Sequence, residues 1–144
     1  MYFKNILVPF DGSKHSRRAF GKAIDLAKKS DTKIKILTCI FAGHGTDMAY
    51  ETKFIDIDEK RLKNAAFAEI AKLEEIAKKS GIPISGAVVK TMSIADKITS
   101  FAQMQKSDLI VMGSHGRTGF TKTVMGSVAN RVLSQAPCPV LIIK

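Results

Sequence analysis

Five short apolar runs punctuate the chain: Ile6-Leu-Val-Pro9, Lys33-Ile-Lys-Ile-Leu-Thr-Cys-Ile-Phe41, Ile84-Ser-Gly-Ala-Val-Val89, Asp108-Leu-Ile-Val-Met112 and Val140-Leu-Ile-Ile143. Between them lie stretches whose apolar residues recur at three and four. Ala19, Phe20, Ala23, Ile24 and Ala27 set this period after a Ser13 cap. Leu62, Ala66, Leu73, Ile76 and Ala77 set it in the longest helix, expected from about Ile57 to Ser80 with a stop at Gly81. Ser93 with Asp96 resembles a capping box before Ile94, Ile98 and Phe101, and the last helix carries Val128-Ala-Asn-Arg-Val-Leu133. Strand and helix in strict alternation predict right-handed crossovers and an α/β fold, a parallel sheet covered on both faces. Such sheets bind ligands beyond the carboxyl ends of their strands, where the winding reverses.

With 144 residues, 45% of them hydrophobic, the chain suits one domain with a full core. No apolar stretch nears the roughly 20 residues that span a bilayer, and the opening Met1-Tyr-Phe-Lys-Asn-Ile-Leu-Val-Pro9 lacks the features of a secretory signal. The expectation is a cytoplasmic protein with no membrane partner. Cys39 and Cys138 form no C-x-x-C pair, so both are expected reduced and packed. The net charge of +10 would attract nucleic acid, anionic surfaces or phosphorylated ligands alike. Many of the lysines and arginines fall in helical runs that read as solvated faces, and no aromatics alternate with them as a stacking platform requires. Nucleic acid binding is therefore a minor expectation.

The stretch Gly113-Ser-His-Gly-Arg-Thr-Gly-Phe-Thr-Lys-Thr-Val-Met-Gly-Ser127 joins the fourth strand to the last helix. Glycines permit close backbone approach, and a helix start presents unpaired amides, which together make a phosphate cradle. A glycine-bearing loop can also be only a floppy connection. Ser127 can serve as the N-cap or offer its hydroxyl to phosphate. The chain has neither G-x-x-x-x-G-K-[ST] nor G-x-G-x-x-G, which speaks against a P-loop NTPase or a dinucleotide dehydrogenase. The loops after Pro9 and Phe41 leave carboxyl ends too, so all three are expected to meet over one crevice, with 42–54 as loop.

Gly113-x2-Gly116, nine residues, then Gly126-Ser127 fits G-x2-G-x9-G-[ST], and with Val8-Pro-Phe-Asp-Gly-Ser13 and Ala136-Pro-Cys-Pro-Val-Leu141 the whole chain resembles the universal stress proteins of the ATP-binding type. The resemblance implies a doubly wound five-stranded sheet of order 3-2-1-4-5 and a nucleotide-responsive binding module in stress response. It implies that Gly113, Gly116, Arg117, Gly126, Ser127 and Val128 hold phosphates and ribose of ATP, AMP or ADP. Asp11 would meet ribose or adenine, and Pro9 and Cys39 would line the base pocket. It also suggests a homodimer, with the terminal strand Val140 to Ile143 as an edge in need of a cover.

The family pattern has a glycine and then a proline at the third-strand exit, where this chain has Met92 and Ile94. The turn there must be made differently, and Met92 is expected to reshape the rim of the crevice. Asp-Gly-Ser is also ordinary turn chemistry, so the residues alone leave Asp11 between a turn and a ligand role. Arg117 is either a phosphate fork or a surface charge, and Lys122 lies over the crevice or in solvent. His115 reads as a loop residue, His15 and His44 as surface residues. No H-E-x-x-H, G-x-S-x-G or paired-carboxylate set occurs, so no catalytic residue is assigned and any ATP hydrolysis is expected to be slow. Magnesium would be held by phosphates and water, with no metal ligands from the chain. Two rival functions are a slow ATPase or nucleotidyl-transfer enzyme using the same loop, and a basic nucleic-acid-binding module.

Overall fold

Ile6, Leu7 and Val8 carry no polar side chain, and strand β1 (Asn5–Pro9) that contains them is buried on both faces at the centre of the sheet. The computed structural model describes residues 2–42, 52–116 and 125–144, with 52–58 described by backbone alone. After β1 come α1 (Lys14–Ala27), β2 (Lys33–Phe41), α2 (Thr52–Lys79), β3 (Ile84–Thr91), α3 (Ile94–Met104), β4 (Leu109–Gly113), α4 (Ser127–Gln135) and β5 (Val140–Ile143). All pairings are parallel, in the order β3-β2-β1-β4-β5, as the resemblance implied. The winding reverses between β1 and β4. That switch point opens a crevice at their carboxyl ends.

The two faces of the sheet carry separate cores. Alternate residues of β1 show why: Ile6 and Val8 pack with Phe20, Ala23 and Ile24 of α1 and with Ile70, Leu73 and Ala77 of α2, whereas Leu7 packs with Ile98 and Phe101 of α3 and Val132 of α4. α1 starts where expected, the Ser13 hydroxyl accepting from Ser16 N–H at 3.1 Å, a cap whose loss costs about 1 kcal/mol. Gly81 ends α2 with φ at +67°, and Ile82 N–H returns to Ala77 C=O at 3.0 Å, a bond that needs the left-handed residue between.

α2 departs from the reading of its sequence. It begins at Thr52, not near Ile57, so the expected loop is shorter. Among its described side chains the buried ones are Ile70, Leu73 and Ala77, while Leu62 and Ile76 are half exposed. A helix of 28 residues spans roughly 42 Å, longer than the strands it covers, and in its first half Glu59 still pairs with Lys90 of β3. Where α2 meets β3 the approach is close: a Cβ on Gly86 would stand 2.5 Å from Ile70 Cγ2.

The β3 exit does make its own turn. The Thr91 hydroxyl accepts from Ser93 N–H at 3.1 Å and donates to Ser93 C=O at 3.0 Å, locking the backbone where the family pattern has glycine and proline. This also halves the expected capping box. Ser93 Oγ accepts from Asp96 N–H at 3.4 Å, but Ser93 N–H is spent on Thr91, and the Asp96 carboxylate pairs with Arg131 of α4 at 3.2 Å.

Candidate functional site

A cavity of about 360 Å³ opens at the switch point, within the roughly 300–1,000 Å³ usual for small-molecule sites. The turn after β1, the end of β2, the start of α3 and the described ends of the β4–α4 connection build it, while the loop expected after Phe41 lies mostly outside the described residues. Pro9, Asp11, Cys39, Gly113, Gly116, Gly126, Ser127 and Val128 all line it. Arg117, Gly119, Lys122 and His44, with most of the segment after Phe41, lie outside the described residues.

Asp11 is fixed by local chemistry. Its Oδ1 accepts from Ser13 N–H at 2.9 Å across Gly12, whose φ of +82° an L side chain rarely adopts. The turn role is therefore real, and it orients the second oxygen. Oδ2 lies 2.7 Å from where a Cβ on Gly116 would stand, so the carboxylate reaches the opposite loop only because that residue has no side chain. The turn is held to the sheet by Phe10 N–H donating to Leu37 C=O at 2.9 Å and by the Thr38 hydroxyl on Phe10 C=O at 2.8 Å.

The two ends of the glycine loop are pinned together, Gly126 N–H donating to Ser114 C=O at 2.8 Å, and Ser114 N–H to Ile143 C=O of β5 at 2.8 Å. A Cβ on Gly126 would lie 3.1 Å from that Ser114 carbonyl. The cap of α4 is Gly126, so Ser127 is the first helical residue and not the N-cap. Glycine brings no capping side chain, and the first residues of α4 line the cavity, at the positive end of the helix dipole. An anion there would complete what the sequence leaves uncapped.

The inner wall is apolar. Leu37, Ile98 and Met112 are buried there, and the Cys39 thiol is pushed up to about 11 by burial, against which Lys97 pulls only weakly. Cys39 is therefore a protonated, small apolar surface at neutral pH. Ile94 lines the cavity but Met92 does not; it is 70% exposed, and the expected reshaping of the rim falls to Ile94 instead.

His115 and Ser114 line the wall too, the buried Ser114 hydroxyl 2.9 Å from His115 Nδ1. His15 is half buried, not a surface residue. Its ring lies 5.3 Å from that of His115, and its Cβ fills the space a side chain on Gly113 would take, at 2.6 Å. Only the folded topology brings these residues together. Among the described residues no cluster of three or more His, Cys, Asp or Glu could hold a metal ion, and no helix is long and apolar enough to cross a membrane.

The chain matches the universal stress protein family over residues 2–144. It belongs to the universal stress protein family. A universal stress protein of Methanocaldococcus jannaschii is 34% identical over 142 residues, covering 99% of this chain and 82% of the relative. The fold of universal stress protein UspA from Lactobacillus plantarum superposes with a TM-score of 0.91 at 21% identity, over 100% of this chain and 99% of that one. Two more universal stress proteins share the fold at lower scores. One, solved in complex with cAMP, has a TM-score of 0.72 at 24% identity, over 100% of this chain and 98% of the other. The other, from Archaeoglobus fulgidus in complex with dAMP, has 0.66 at 22%, over 100% of both chains.

Proposed function

We propose that this universal stress protein binds an adenine nucleotide, ATP or AMP, in the switch-point cavity and acts as a nucleotide-responsive binding module in the stress response, not as an enzyme. The observation that carries the reading is the convergence of Asp11, Gly116 and the uncapped start of α4 on one cavity. An apolar wall suits a base, a carboxylate suits ribose hydroxyls, and helix-start amides suit phosphate. In this arrangement Pro9 and Cys39 lie against the base and Asp11 against the ribose. Gly113, Gly116, Gly126, Ser127 and Val128 cradle the phosphates, with Arg117 as a further donor. The cAMP and dAMP complexes of two structural relatives support an adenine ligand.

Magnesium would enter with the phosphates, held by them and by water, and would neutralise their charge. The residues at the cradle bind ground and transition states about equally, which supports binding over turnover. The protein works in the cytoplasm as a homodimer formed along β5, one of the two outer strands of the sheet.

Calorimetric titration with ATP and AMP tests the site. Saturable binding that is lost in a Gly126→Val, Ser127→Ala double variant is the expected result, and no saturable binding at millimolar nucleotide would reject it. Phosphate release by the wild type above that of the double variant would favour the enzyme reading instead.

A further inference from the structure

A second hollow lies at the other rim of the sheet, where the hydrophobic pattern of the strands breaks. An inner strand of a covered parallel sheet is ordinarily apolar on both faces. β2 keeps to this on the α3 and α4 face with Leu37 and Cys39, yet the two positions before them in the same stripe are Lys35 and Lys33. Its neighbours follow suit. Asn5, paired with Lys33, precedes Leu7 in the β1 stripe, and Ser85, paired with Lys35, precedes Ala87 in that of β3. Polar residues thus share one face at the start of three adjacent strands.

These residues border a cavity because α3 ends beside them. The helix stops at Met104, and the chain turns through Gln105 and Ser107 into β4. Asn5, Lys33, Lys35, Ser85, Gln105 and Ser107 line a hollow of about 210 Å³, and no acidic side chain among the described residues lines it. Among the described residues the ammonium groups of Lys33 and Lys35 have no ion pair or hydrogen bond, nor do the hydroxyls of Ser85 and Ser107. Asp108, next along the chain, has both carboxylate oxygens on the Lys4 and Asn5 amides, at 2.7 and 3.0 Å. The negative end of α3 lies here too, but its Phe101, Ala102 and Gln103 carbonyls accept from the N–H groups of Gln105, Ser107 and Lys106 at 2.9, 2.9 and 3.1 Å. Its roughly half a charge does not balance two ammonium groups.

We propose that this hollow is a second binding site, which takes a small phosphoryl anion: free phosphate or a phosphate monoester with a short tail. Lys33 and Lys35 stand two residues apart on one strand, roughly 6.5–7 Å along it, a span that two flexible side chains can close around one tetrahedral group. Ser85 and Ser107 supply hydroxyl donors and Gln105 an amide. The volume falls below the roughly 300 Å³ at which sites for drug-sized ligands begin, which fits a phosphoryl group with few further atoms and not a nucleotide. This site lies at the amino ends of β1, β2 and β3, shares no lining residue with the switch-point cavity, and does not rest on the nucleotide reading.

Lysine is a poor choice for an inner strand, and two of like charge at neighbouring positions of one stripe repel. A bound dianion turns both costs into contacts. The net charge of +10 would by itself draw anions weakly to the whole surface, so the local site must be told apart from the general field. Lys22 of α1 and Lys63 of α2 provide the comparison. Both are exposed on helices that cover the opposite face of the sheet, and removing them takes away the same charge.

The test is amide NMR of the whole chain titrated with inorganic phosphate and, separately, with glycerol 3-phosphate, at constant ionic strength and with chloride as the blank. Amides of Lys33 to Lys35, Ser85 and Gln105 to Ser107 should shift together and saturate in the millimolar range. They should do so equally in the Gly126→Val, Ser127→Ala double variant, whichever way nucleotide titration of the other cavity falls. Lys33→Gln with Lys35→Gln should weaken binding at least about tenfold, the weight of a lost charge-assisted contact, and Lys22→Gln with Lys63→Gln less than about twofold. Thermal unfolding checks each variant, and Lys33→Gln alone, at the exposed position, should weaken binding in the same direction if the double variant does not fold. Tighter binding of the ester would assign the remaining volume to its tail, and equal binding would make phosphate itself the ligand. Shifts that never saturate, that chloride reproduces, or that the Lys33 and Lys35 substitutions leave as they were would overturn the site.

Discussion

Asp11 Oδ2 occupies the space that a side chain on Gly116 would need, 2.7 Å from the Cβ position, so a carboxylate from the β1 turn and a glycine from the β4–α4 loop share one volume. The glycine is there for the neighbour, since its φ is not one that side chains avoid. Gly116→Ala should therefore displace the exposed Asp11 carboxylate without disturbing the fold. Stability by urea unfolding is expected within about 0.5 kcal/mol of wild type. Affinity for AMP should fall about tenfold, equal to about 1.4 kcal/mol. Wild-type affinity in this variant would remove Asp11 from the list of ligand residues.

Gly113 presents the opposite case. A Cβ there would stand 2.6 Å from His15 Cβ, 2.9 Å from the His15 carbonyl carbon and 3.1 Å from Ser16 N, so it meets the first turn of α1 itself. No rotamer change relieves a clash with backbone. Gly113→Ala should push α1 off the sheet edge and cost about 1–3 kcal/mol, the usual price of overpacking a close-packed contact. Urea unfolding of the variant measures it, and an unchanged midpoint would contradict the contact.

Which of these relationships could be read from the residue order follows from how local each one is. β1, β2 and β5 were legible because an apolar run bounded by turn residues is a local signal. The Ser13 cap and the Gly81 stop were legible for the same reason. The buried stripe of α2 was not: Leu62 and Ile76 keep the helical period as Leu73 does, yet both are half exposed, and nothing in the local sequence separates them from the residues that meet the sheet. Ser127 looks like a cap by residue type, but Gly126 takes the position because its N–H is tied to Ser114. In the site, the meeting of chain at the strands' carboxyl ends followed from a rule of topology, whereas the eight candidates on the wall came from the resemblance to the universal stress proteins. His15 was missed because its partner His115 is joined to it by the sheet and not by the chain; its one sequence signal, adjacency to the Asp11 turn, is weak.

Cys39 offers a test of the inner wall that needs no nucleotide. Burial raises the thiol from 9.0 to about 11, which favours the neutral form and leaves a thiolate fraction about a hundredfold below that of an open thiol at pH 8. Iodoacetamide labelling of Cys39 in a Cys138→Ala background should be slower than that of a model thiol by about this factor, and should speed up about tenfold per pH unit from 7 to 9. The same shift fixes a sign for stability. The unfolded chain loses this proton before the folded one does, so stability is untouched below pH 9 and declines as pH rises from 9 toward 11. Labelling as fast as the model thiol at pH 8 would mean that the wall is open to water.

β5 is the last strand of the sheet, bonded to β4 on one side, and its side chains divide unequally. Val140 and Ile142 pack with the α3 and α4 core, and Ile143 packs with the α1 core. Leu141 is left 36% exposed beside an unpaired strand edge, a combination that invites another chain. If the proposed dimer forms there, a two-fold axis places Leu141 of both chains in one interface, so a single substitution acts twice. Leu141→Asp should then raise the dimer dissociation constant about a hundredfold, from two lost apolar contacts and two carboxylates brought together. Thermal stability of the protomer should barely change, because the side chain supports neither core. Sedimentation velocity over a micromolar concentration series reads both species. A wild type that stays monomeric throughout, or an aspartate variant that dimerises as well as wild type, would show that β5 is not the dimer edge.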